Sequence, residues 1–297
     1  MAFMHLRSSG DSPEPFVLTT VAEVRKQIAY MRRRRPDVAV GLVPTMGFFH
    51  EGHLSLMRAA RDDCGYVVTS IFVNPAQFGP AEDLNAYPRD LERDLKMAAA
   101  AGTDLVFAPD PDEIYPPGHD TSVEPGRVAE GLCGQSRPGH FRGVATVVAK
   151  LFNIVKPDRA YFGQKDAQQV AVIKRMVADL DFDIEIRVCP TAREADGLAM
   201  SSRNSYLTEE ERGQATALFR ALSAAKDAVA HGERDAAKIR RLMRRIIGQN
   251  FLVEFEYVRL VDPETMEPVS VIDRQILAVV AARVGRARLI DNILITP

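Results

Sequence analysis

Residues 38–73 read VAVGLVPTMGFFHEGHLSLMRAARDDCGYVVTSIFV, and this stretch decides the fold. The run 38–43 is short, β-rich and apolar, and it ends at Pro44. A helix is expected from Gly52 to about Asp63. Residues 66–73 again carry the pattern of a buried strand. Strand, helix and strand in direct succession, with strands apolar on both faces, make a βαβ unit of a parallel sheet.

The alternation continues outward. The pattern predicts a helix near 89–101 and a strand at 104–108. It then predicts a helix near 143–155, a strand at 159–162, a helix near 167–179 and a strand at 184–189. Such a chain folds as a Rossmann-like doubly wound parallel α/β sheet, and its ligands bind outside the carboxyl ends of the strands, where the strand order reverses. After Pro190 the pattern changes. Thr208 and Glu211 form a capping box that opens a long helix to about 231–232, and a second, basic helix covers 235–248. Strands follow at 253–261, 276–284 and 288–295. Two domains are therefore expected: residues 1–191 as the Rossmann-like unit, and residues 192–297 as a smaller C-terminal α+β domain.

Composition removes several function classes. The 297 residues are 46% hydrophobic and 26% charged with a formal net charge of -2, so the chain as a whole is no polyanion binder. Cys64, Cys133 and Cys189 are odd in number and widely spaced, which gives neither a disulfide framework nor a zinc site. The N-terminal MAFMHLRSSGDSPEPF has no signal-peptide core, and no apolar run approaches the ~20 residues of a membrane helix. A soluble cytoplasmic protein is expected. The run Arg32, Arg33, Arg34 and Arg35 could suggest a nucleic-acid contact. However, Thr20 and Glu23 cap a helix whose apolar stripe is Val21, Val24, Ile28 and Met31, and arginines suit its negative end before Pro36 stops it. We read it as a solvated helix end.

The chemistry lies at strand-to-helix junctions. Residues 44–53, PTMGFFHEGH, follow the first strand of the unit and open its helix, where a phosphate-binding turn belongs. Gly47 permits unusual backbone angles and Gly52 permits close approach to a ligand. His50 and His53 are three apart and face one side of the first helical turn, forming with the N–H groups of that helix end a donor cluster for an anion. A metal reading is weaker without HExxH or a third ligand nearby. Three more segments sit at strand ends. They are IFVNPAQF at 71–78 with two amides, FGQKDAQQ at 162–169 with a glycine and a lysine, and MSSRN at 200–204 with hydroxyls and a guanidinium. Lys165 can serve as a point charge on a phosphate.

HEGH resembles the HxGH signature of the nucleotidyltransferase superfamily, and MSSRN resembles the mobile phosphate loop of its class I aminoacyl-tRNA synthetase relatives. The ordered set is more specific. PTMG-HEGH at 44–53, SIFVNP-QF at 70–78, YPRD at 87–90, RPGHFRGV-TVV-KLFNIVKPD at 137–158, FGQKD-QQ at 162–169 and READGLAMSSRN at 193–204 together resemble the pantothenate synthetase family. The resemblance implies that His50 and His53 contact the ATP phosphates and the charge developing at the α-phosphorus, with Met46 lining the same pocket. It implies Lys165 on phosphate oxygens, Gly163 and Asp166 on the ribose, and Ser201, Ser202 and Arg203 over the β- and γ-phosphates. It further implies Gln77 and Gln169 on pantoate, Asp94 on Mg²⁺, and a homodimer that binds neither nucleic acid nor membrane. Two departures are visible. Phe48-Phe49 stands where smaller residues are usual, and Gln164 where glutamate is common.

What the resemblance implies for chemistry is an attack of the pantoate carboxylate on ATP, followed by transfer of the acyl group to the amine of β-alanine. The loop 197–204 is the expected lid, with Gly197 absorbing backbone change. A nucleotidyltransferase that adenylates a phosphorylated substrate is the first rival, and it requires a second basic pocket. An RNA-binding module using the arginines at 32–35 and 240–245 is the other.

Overall fold

The computed structural model describes residues 14–79, 84 and 87–297. The N-terminal stretch 1–13, read above as lacking a signal-peptide core and as the start of the 1–191 unit, lies outside the described residues. The described chain opens with β1 (Phe16–Leu18) and α1 (Val21–Arg34). Thr20 Oγ1 accepts from Glu23 N at 3.3 Å while Glu23 returns a bond to Thr20 N, and Val24, Ile28 and Met31 are buried beneath. Arg32 donates to Lys156 O at 2.7 Å and pairs with Asp158 at 3.1 Å, while Arg33 and Arg34 are exposed at the helix end.

There follow β2 (Val40–Thr45), α2 (Glu51–Asp63), β3 (Tyr66–Ile71), α3 (Leu91–Ala100), β4 (Leu105–Phe107) and the short helices α4 (Pro111–Ile114) and α5 (Leu132–Ser136). Next come α6 (His140–Val155), β5 (Arg159–Gly163), α7 (Ala167–Asp179) and β6 (Glu185–Cys189). The six strands form one parallel sheet in the order β1-β4-β3-β2-β5-β6. From β2 the chain winds outward through β3, and from β5 it winds the other way to β6. The loops after β2 and β5 thus diverge and open a crevice at the carboxyl edge, the switch point of a doubly wound sheet. Pro44 sits inside β2 rather than ending it. Pairing with β3 runs to Thr45, whereas the β5 partners stop at Leu42, so the missing N–H breaks no ladder bond on that side.

The C-terminal part holds α8 (Glu209–Ala215), α9 (Ala217–Ala230), α10 (Ala236–Gly248) and an antiparallel sheet of β7 (Val253–Val261), β8 (Ile276–Val284) and β9 (Ala287–Ile295). Thr208 and Glu211 do form a capping box. The single long helix expected there is two, α8 ending at Ala215 and α9 beginning at Ala217, with the Thr216 hydroxyl between them donating to Gly213 O at 2.7 Å. Leu218, Leu222, Ile239, Met243 and Val280 anchor an apolar core of its own beneath this sheet. Among the described residues, no helix is long and apolar enough to cross a membrane.

Candidate active site

The turn between β2 and α2 is the most tightly held part of the site. Gly47 and Phe48 take left-handed backbone angles, φ 80° and 52°. Asp94 of α3 pins both ends of this turn: Oδ2 accepts from Phe48 N at 2.6 Å and Oδ1 from Phe49 N at 2.8 Å. A Cβ on Gly47 would lie 2.9 Å from Asp94 Oδ2 and 3.0 Å from Ile71, so the position requires glycine on two counts. The Phe48-Phe49 pair is part of the same construction. Phe49 is buried, and the Phe48 ring lies under the Arg93 guanidinium at 5.5 Å. Asp94 is also the residue expected to hold Mg²⁺. The carboxylate is 1% exposed, does not line the cavity, and spends both oxygens on backbone N–H groups. Burial raises its pKa, and the two N–H bonds pull the other way.

His50 is the N-cap of α2. Its Nδ1 accepts from Gly52 N at 3.1 Å, and its own backbone N–H donates to His53 Nδ1 at 3.3 Å. A Cβ on Gly52 would meet the His50 ring at 2.8 Å, which is why glycine separates the histidines. The N–H groups of His53 and Leu54 both go to His50 O. The helix end therefore does not offer these backbone donors to an anion. Each neutral ring instead has its proton on Nε2, because its Nδ1 is an acceptor. The rings stack at 4.1 Å between centroids. Burial and then the nearby Lys165 charge lower the His50 pKa to about 4, and burial followed by His50 holds His53 well below its ordinary value. At neutral pH the pair is two uncharged Nε2–H donors.

These rings line a cavity of about 220 Å³ at the switch point, together with Met46, Gln77, Gly163, Lys165, Asp166, Gln169 and Arg203. Lys165 lies in a 3₁₀ turn after β5, and its Nζ donates to Met200 O at 3.1 Å, joining that turn to the 193–204 loop. Gln77 Nε2 donates to Met46 Sδ at 3.1 Å, and its Oε1 accepts from Asn74 at 3.1 Å. Among the described residues the Gln169 amide has no hydrogen-bond partner. Ser201 lines an adjoining cavity of about 90 Å³, which shares Lys165, Gln169 and Arg203 with the first. Ser202 lines neither cavity. Gly197, expected to flex, is locked. Its φ is 90°, the Phe219 ring packs on it, and Arg193 lies 4.3 Å over that ring while donating to Gly197 O at 3.0 Å.

Three cavity residues were given no role in the sequence reading. His140 Nδ1 donates to Gln77 O at 2.9 Å, which leaves Nε2 to accept from Arg137 at 2.9 Å, and both side chains reach the cavity. They precede or open α6 instead of following a strand, so RPGH entered through the family resemblance and not through the search along strand ends. Thr191 follows β6, and its buried Oγ1 on the cavity wall has no partner among the described residues.

This geometry defines a class: a doubly wound parallel α/β protein whose switch-point cavity is lined by two imidazoles, a lysine and an arginine. The family model for pantoate-beta-alanine ligase matches residues 16–294. The pantothenate synthetase of Thermotoga neapolitana is 55% identical over 93% of this chain and 98% of its own length, and that of Moorella thermoacetica is 56% identical over 94% and 98%. The crystal structure of pantothenate synthetase from Thermus thermophilus matches with a TM-score of 0.90 and 46% identity, covering 95% of this chain and 100% of that one. Pantoate-beta-alanine ligase from Francisella tularensis, complexed with beta-gamma ATP and beta-alanine, matches with a TM-score of 0.74 and 33% identity over 94% and 97%. The chain belongs to the pantoate-beta-alanine ligase family, and it is a ligase.

Proposed function

We propose that this cavity joins pantoate to β-alanine at the expense of ATP, through a pantoyl-adenylate, with release of AMP and pyrophosphate. One observation carries the reading: His50, His53, Lys165 and Arg203 line one cavity, yet neither imidazole stands as a base beside a nucleophile. Both Nδ1 atoms are occupied by backbone N–H groups. Of the lining hydroxyls, those of Thr45 and Ser70 bond to backbone within the β2–β3 pair, and the buried Thr191 Oγ1 has no hydrogen-bond partner, and so no base, among the described residues. A site of donors without an activated nucleophile suits a substrate that brings its own, and nucleotidyl transfer asks the protein mainly to position groups and stabilise charge.

In this reading an oxygen of the pantoate carboxylate attacks the α-phosphorus. The bond from that phosphorus to the bridging oxygen breaks, and its electron pair leaves with pyrophosphate. The two Nε2–H groups meet the charge developing on the α-phosphate, while Lys165 and Arg203 hold phosphate oxygens and Ser201 and Ser202 close over them. Gly163 and Asp166 take the ribose, and Met46 packs against the bound substrates. Gln77 and Gln169 hold pantoate, and Arg137 beside Gln77 suits its carboxylate. The β-alanine amine then attacks the acyl carbon, sheds its proton, and AMP leaves. Magnesium would travel with ATP. When bound it would neutralise triphosphate charge.

The 1–191 and 192–297 units, two-copy assembly and cytoplasmic residence belong to the same proposal and rest on the sequence resemblance and element pattern. The experiment is AMP release from ATP with pantoate and β-alanine, supplied singly and together. Stoichiometric AMP and pantothenate with both present supports the reading. AMP release independent of pantoate contradicts it.

A further inference from the structure

We propose that Asp291 and Asn292, adjacent residues on β9 of the C-terminal sheet, are positioning residues that set the Lys165 turn and the 193–204 loop against each other. This rests on the reading of Lys165 and Arg203 as phosphate-binding groups. Asn292 is 4% exposed and spends its whole amide on one turn. Nδ2 donates to Gln164 O and Lys165 O, both at 2.9 Å, and Oδ1 accepts from Gln164 Nε2 at 3.0 Å. Two donors on one planar nitrogen meet two successive carbonyls. Aspartate lacks those donors, and glutamine is one methylene too long. Next to it, Asp291 is 3% exposed and takes Arg193 in a two-pronged pair at 2.7 and 2.9 Å. Arg193 in turn holds Gly197 O and the Phe219 ring, fixing the base of the loop that carries Ser201 and Arg203.

Lys165 Nζ closes the circuit by donating to Met200 O at 3.1 Å. The contacts therefore run from Asn292 to Lys165, to Met200, back along the loop to Arg193, and through Asp291 to the same strand. Nothing in this ring needs Asp291 or Asn292 to touch a substrate. Two segments on different parts of the chain acquire a common reference, a buried strand. Positioning of this kind matters because a displacement of about 1 Å can cost ~10²-fold in rate. It also gives a part in the chemistry to the C-terminal sheet, whose Asp291 and Asn292 line the adjoining cavity along with Lys165 and Arg203.

The test is a double-mutant cycle of Asn292→Ala with Lys165→Ala, read as kcat and KM for ATP and for pantoate, with thermal unfolding alongside. Asn292→Ala is expected to lower kcat/KM for ATP at least ~10-fold and to change KM for pantoate less than ~2-fold. In the Lys165→Ala background the same substitution should cost less than ~3-fold, because its route to the phosphates is gone. The proposal is overturned if Asn292→Ala lowers only the unfolding temperature, or if it costs the same factor in both backgrounds. Wild-type kinetics in Lys165→Ala alone would refute the phosphate reading itself, a different failure visible in one arm. Should Asn292→Ala not fold, Gln164→Leu removes just the bond to Oδ1. The same ATP-selective loss, about 3-fold or more, then supports the proposal, and unchanged kinetics overturn it.

Discussion

His50 and His53 act through one atom each, since Nδ1 is committed to the backbone and Nε2–H points its proton elsewhere. His50→Ala and His53→Ala should each slow adenylate formation by about 10²-fold, and the double variant should lose less than the product, because both donors serve one anion. Single-turnover rates check this, and fully multiplicative losses would contradict it. Their low pKa values also fix a stability slope. Between pH 6.5, where an unfolded histidine takes a proton, and about 4, where folded His50 does, the unfolded chain binds more protons. The contribution is thus complete above 6.5 and is lost as pH falls toward 4. Replacing both histidines by glutamine should flatten that decline in urea midpoints, and an unchanged slope would mean that the rings titrate normally. Gln77→Ala and Gln169→Ala should raise KM for pantoate at least ~10-fold more than KM for ATP, because a buried amide left without its ligand discriminates strongly. Equal effects on the two substrates would make them structural. His50, His53, Lys165 and Arg203 were legible in the sequence because each follows a strand. Arg137, His140 and Asn292 were not, since their value comes from contacts made across 60 residues or more that no local pattern records.

At the scale of elements, α3 is a support for the turn that opens α2. Asp94→Asn keeps the shape but aims an N–H₂ or a single oxygen at two backbone donors, and should destabilise the fold by about 1–3 kcal/mol. The Mg²⁺ concentration giving half-maximal activity should stay unchanged. A several-fold rise in that concentration with no loss of thermal stability would return Asp94 to the metal. The DLERDL run shows acidic side chains without showing which way each faces, and burial alone distinguishes Asp94 from its neighbours. The βαβ core was readable for a different reason: strands buried on both faces are apolar throughout, and the helices between them carry their own signals. β1 has three residues, too few to make a pattern. The break at Thr216 falls within a stretch whose pattern reads as uninterrupted helix, and the hydroxyl bond back to Gly213 O leaves no mark in that pattern.

At the scale of the whole molecule, one sheet supplies the switch point and the other bonds, through Asp291 and Asn292, to the Lys165 turn and to Arg193 at the base of the 193–204 loop. A site divided in this way can gather ATP and a carboxylate, exclude water while a hydrolysable mixed anhydride waits, and admit an amine afterwards. ATP and pantoate together should slow proteolytic cleavage within 197–204, although Gly197 is already bolted to Phe219 and any movement must come from the residues beyond it. The central claim is that the acid, and no side chain, attacks ATP first. Exchange of labelled pyrophosphate into ATP tests it directly. The account predicts that pantoate alone supports this exchange and that β-alanine is unnecessary. Exchange that appears only when β-alanine is present would contradict it and require a concerted reaction of all three substrates.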